Sequence, residues 1–154
     1  MEIRIKELVH NLNLQYSTYQ QIYQLSLEKQ GVVIAEDLTR LEEITTAEGE
    51  FLAQIEKLEE ERVGLCLSMK VSTIITNSDG PAQESLVKIQ QDLVALLGLL
   101  QEQNSLNEQL IRDALQLTNM DLNMLTSNGR PPTYGKNRQL QINQGNKNLI
   151  NKKV

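Results

Sequence analysis

His10 and Cys66 are the only histidine and the only cysteine of the chain, so any nucleophilic chemistry would have to be built from them. A thiolate–imidazole dyad needs the two within hydrogen-bond reach and an oxyanion site beside them. They lie on separate helical patterns, and the simpler reading is a surface histidine beside an apolar stripe and a small buried thiol. The acidic cluster Glu56, Glu59, Glu60 and Glu61 could attract a cation, but a charge run on a long helix reads first as a solvated face. The sequence has no glycine-rich phosphate loop, no cysteine pair and no histidine pair at ligand spacing. The expectation is a non-enzymatic binding protein that uses no cofactor and no metal.

Helical periodicity sets the elements that would position a binding surface. Ile5, Leu8, Leu12, Tyr16, Tyr19 and Tyr23 recur at three- and four-residue steps and predict a first helix over about residues 2–30, interrupted by Gly31. The three tyrosines share one face, which reads as core or seam before it reads as a ligand patch. Leu41, Ile44, Glu48, Phe51, Ile55, Leu58, Arg62, Leu65 and Met69 follow the alternating spacing of a coiled-coil seam and predict a second helix over about 36–72. Glu48 and Arg62 interrupt that seam and read as wet or register-setting layers, while Gly49 and Gly64 are places where it could kink. Polar residues Thr76–Gly80 precede Pro81, a favourable helix start. The third pattern, from Leu86 through Leu100, Leu110 and Leu117 to Met124, predicts a helix over about 82–127. Asn128-Gly129 and Pro131-Pro132 end it.

The fold expected is all-α: an elongated antiparallel three-helix bundle or coiled coil, residues 1–127, with a long third helix and a flexible C-terminal tail, residues 128–154. At 1.5 Å per residue the predicted helices span roughly 43, 55 and 69 Å. In an antiparallel arrangement the last turns of the third helix, near residues 119–127, then lack neighbours. Those turns hold Met120, Asp121, Leu122, Met124 and Leu125, and methionines suit a surface that accommodates partner helices. Asn104 and Asn107, one turn apart, read either as register-setting polar layers or as partner contacts.

The tail carries six Lys or Arg and no acidic residue, so the remainder holds nine basic against twenty acidic residues, a charge of −11. A nucleic-acid binder would place its basic face on the folded part, so no nucleic-acid partner is expected. The longest apolar run, Leu93–Leu100, is too short to span a bilayer, which argues against membrane insertion. The lone cysteine and the absence of an apolar leader core in the first ten residues point to the cytoplasm.

Gln103-Asn104, Asn107 and Leu110-Ile111 in the third helix, followed by Tyr134-Gly135 beyond its end, resemble the FlgN-type flagellar export chaperones. The resemblance covers most of the chain as architecture. It implies a cytoplasmic chaperone that binds the C-terminal helices of hook–filament junction (hook-associated) proteins, prevents their premature assembly and delivers them to the flagellar type III export apparatus. The partners implied are those clients, the export gate and components of its ATPase complex. The client site implied is the end of the third helix with the tail; within it the overhang and its methionines point to Leu117, Met120, Asp121, Met124 and Leu125 as partner contacts, beside Asn104 and Asn107. Tyr134, with Gly135, is implied to dock at the gate. The alternative is a non-catalytic adaptor that self-associates as a homodimer through its coiled-coil seam.

Overall fold

A computed structural model describes residues 4–126; Tyr134, Gly135 and the remainder of the predicted tail lie outside the described residues. The described chain is all-α and contains no strand. Its helices are α1, Ile5–Ile34; α2, Leu38–Leu65; α3, Val71–Thr76; and α4, Gly80–Thr126. Four helices therefore stand where three were expected. The chain divides into two compact units, the first containing Met1–Leu25 and Glu42–Leu100, the second Ser26–Leu41 and Gln101–Val154.

The helix ends correct the sequence expectation in two places. Gly31 does not interrupt α1: its carbonyl accepts the Ala35 amide at 2.9 Å, and the helix runs on to Ile34. Glycine weakens a helix interior by roughly 1 kcal/mol relative to alanine, and burial of Val33 in the next residues offsets that. The actual stop is a Schellman cap. Glu36 sits in the left-handed region at φ 58, with Glu36 N donating to the Val33 carbonyl and Asp37 N to the Val32 carbonyl. The Asp37 carboxylate then accepts the Arg40 amide at 3.1 Å and starts α2.

The second correction concerns the end of α2. The seam was expected to run to about residue 72, but the helix ends at Leu65. Leu67 and Ser68 both lie in the left-handed region, and Leu67 N and Ser68 N donate to the Gly64 and Val63 carbonyls in a second Schellman arrangement. This turn frees the next apolar residues to fold back into the core of the first unit. Cys66 and Ile74 become fully buried with Leu8, Leu12, Leu86 and Ile89, an arrangement that a continuing α2 could not give them. Pro81 then occupies the first turn of α4, where a missing N–H leaves no bond unmade.

A second core cluster of the same unit joins Tyr19 and Ile22 of α1, Ile55 of α2, and Leu96 and Leu100 of α4. Tyr16 and Tyr23 pack against it, so the tyrosine face is core. The Arg62 guanidinium, expected in a wet layer, forms a two-point contact with Glu59. Gln15 reaches the same carboxylate at 3.4 Å and Asn11 at 2.9 Å, while Asn11 also bonds the Leu58 carbonyl. A polar ladder thus stitches α1 to α2 alongside the apolar clusters.

Candidate functional site: the exposed end of α4 and its groove

The chemistry considered for His10 and Cys66 finds no geometric support. Cys66 is sealed in the core, and burial pushes its thiol up against the opposing influence of Arg62, so it stays protonated at neutral pH. His10 is exposed. Of the acidic cluster, Glu59 is engaged by Arg62 and Gln15, and Glu61 by Asn11. No group of three or more His, Cys, Asp or Glu that could hold a metal ion occurs among the described residues. No described helix is long and apolar enough to cross a membrane.

The second unit holds the predicted site residues that the structure describes, and it treats them in two ways. Asn104 and Asn107 face α1. Asn107 is buried, and its Nδ2 donates to the Ser26 carbonyl at 2.8 Å and to Ser26 Oγ at 3.2 Å. Ser26 Oγ donates to Asn104 Oδ1 at 3.0 Å, and Gln103 Nε2 bridges Asn107 Oδ1 and Gln30 Oε1. Ser26, which sequence reasoning missed, is the centre of this layer. The available signal was a small polar residue in the apolar row that runs through Ile22 and Val33. A fully bonded buried layer of this kind fixes register, because any slip strands several polar groups.

The remaining described site residues point outward. Leu117 is 61% exposed, Met120 53%, Met124 81% and Leu125 82%, and Asp121 stands exposed among them. At about 100° per residue the described part of α4 in this unit presents two apolar rows, separated by roughly a third of a turn. Leu106, Leu110, Leu117, Met120 and Met124 form one. Ile111, Leu115, Leu122 and Leu125 fall on the other.

The second row opens into a groove of about 630 Å³ that the sequence did not reveal. Val32, Val33, Leu38 and Leu41 from α1 and α2 form one wall, and Ile111, Ala114, Leu115 and Thr118 of α4 the other. Glu36 and Asp37, on the turn between α1 and α2, give its rim negative charge. Leu38 is 72% exposed at the groove, so its apolar surface is available. The groove offers apolar contact and two carboxylates, and the other row of α4 offers exposed methionines, the properties of a helix- or peptide-binding surface.

Comparison with known proteins agrees with the whole-chain pattern. The family described as FlgN protein matches residues 1–142, a span that takes in both units and Tyr134-Gly135. The uncharacterized protein YvyG of Bacillus subtilis (strain 168) is 26% identical over 149 residues, covering 92% of this chain and 93% of its own length. No solved structure matches the chain. A family match over nearly the full length leads to one conclusion: the chain belongs to the FlgN family of flagellar export chaperones.

Proposed function

We propose that the protein is a cytoplasmic chaperone of flagellar type III export that receives the C-terminal helices of hook–filament junction proteins on the exposed end of α4. The observation that carries this reading is the exposure of Leu117, Met120, Met124 and Leu125 in a member of this family. Single exposed apolar residues are ordinary, but these four and Leu122, five within nine residues of one helix, form a patch that water solvates poorly. A client helix laid along Leu117, Met120 and Met124, with Leu125 flanking that row, would bury its own self-assembly face and so remain monomeric. Methionine side chains adapt to more than one such face. Asn107 and Asn104 act in this scheme through Ser26, by holding α4 in position rather than by touching the client. Tyr134 and Gly135, beyond the described helix, would serve the handover to the export gate and its ATPase complex.

The test is calorimetric titration of the full chain with a purified hook–filament junction protein from the same source. The double substitution Met120→Asp, Met124→Asp should weaken binding at least tenfold, the order expected when a docked apolar contact is replaced by desolvated carboxylates. Unchanged affinity with unchanged helicity would overturn the reading. The competing adaptor reading makes the coiled-coil seam a contact between copies. It requires self-association at the titration concentrations, which truncation at Asn128 and the same double substitution would both leave intact.

A further inference from the structure

We propose that the acidic-rimmed groove of the second unit is the docking site of this chain's own segment Lys136–Ile142. The groove is lined by apolar side chains, among them Val33, Leu41, Ile111 and Leu115, and by the carboxylates Glu36 and Asp37 on the turn between α1 and α2. Its occupant must therefore combine apolar side chains with adjacent positive charge. The segment Lys136-Asn137-Arg138-Gln139-Leu140-Gln141-Ile142 has this composition. In an extended stretch Leu140 and Ile142 project from one side while Gln139 and Gln141 project from the other. Lys136 and Arg138 precede the apolar pair, so they meet the rim when the pair meets the walls. No acidic residue anywhere in 128–154 opposes the approach.

Reach and tethering favour the same occupant. Ile111–Thr118 lies roughly 12–22 Å back along α4 from Thr126. Leu140 follows Thr126 by a stretch of chain that spans up to about 46 Å when extended, and Asn128-Gly129 offers the turn needed to reverse direction. A tethered segment is present at an effective concentration on the order of millimolar. Two apolar side chains and two charge contacts then suffice to populate the docked state, whereas an untethered peptide of this size would need far more contact. The inference goes beyond the client-binding reading and does not depend on it.

The experiment uses the full chain without client. A nitroxide is attached to Asn143→Cys, Cys66 being sealed from the reagent, and methyl relaxation is measured by NMR. The methyl groups of Val33, Leu41, Ile111 and Leu115 should relax several-fold faster than those of Ile55 and Leu86 in the first unit. Adding Leu140→Asp and Ile142→Asp, outside the described helices, should return them to the rate of the Ile55 methyls. Equal relaxation at both sets, or no response to the two substitutions, would overturn the proposal. So would enhancement that appears only when spin-labelled and isotope-labelled chains are mixed, since the occupant would then be a second copy.

Discussion

Asn107 brings a whole amide into a buried site and satisfies it on Ser26 and Gln103. Replacing it with Asp turns the donor aimed at the Ser26 carbonyl into a charged acceptor. Asn107→Asp should therefore destabilise the protein by about 3 kcal/mol or more at neutral pH, the penalty of an uncompensated buried charge. The sign of its pH dependence follows. Burial beside a carbonyl oxygen favours the neutral acid, so the folded state binds the proton more tightly than the unfolded state. The penalty is then present above the carboxylate range and fades as pH falls through it, which urea unfolding at several pH values would measure. Tyr19 gives the alkaline counterpart. Burial, reinforced by Glu59, raises its phenol above the ordinary 10.0. Its stabilising contribution is complete below that value and is lost as pH rises above it. Unfolding midpoints should therefore fall more steeply between about pH 9 and pH 11 in the native chain than in Tyr19→Phe.

At the scale of the helix, the two Schellman caps set where α1 and α2 end, and both place a side-chain-bearing residue where glycine is preferred. Leu67 is among the exposed large apolar residues, so its replacement costs less burial than one in the core would. Leu67→Gly should raise stability by about 1 kcal/mol, read from denaturant midpoints, by relieving the left-handed backbone. The apolar rows of α4 and the core of α2 separate by the same measurement. Ile55→Ala should cost about 2–5 kcal/mol, while Met124→Ala should leave stability within roughly 0.5 kcal/mol and, on the proposed function, weaken client binding. These elements also mark what a reader of the sequence can recover. The α1 and α4 stripes were legible because their apolar period is regular, and the exposed methionines were legible because the third helix outruns the lengths of the other two. The end of α2 was not, because Leu67 and Ser68 carry no turn signature and Met69 continues the seam spacing past the stop. The groove was hidden for a different reason: Val32, Val33, Leu38 and Leu41 straddle a turn, and only the fold sets them opposite Ile111 and Leu115.

Across the whole molecule, charge is segregated: twenty acidic residues precede position 128, and six basic residues with no acidic one follow. Attraction between the two parts is screened over about 10 Å at 0.1 M salt and about 3 Å at 1 M. Raising salt from about 0.05 to 0.5 M should weaken the docking of Lys136–Ile142 and slow the relaxation of the groove methyls in the spin-labelled chain. Relaxation indifferent to salt would mean that Glu36 and Asp37 contribute nothing to it. The layout of the aromatic residues has an optical consequence. There is no tryptophan, Tyr16, Tyr19 and Tyr23 all belong to α1, and they lie in or against the core of the first unit. With no tryptophan in the chain, a single Leu125→Trp would be its sole indole emitter. Its colour and anisotropy would follow a client arriving on α4 in real time, with no dye attached.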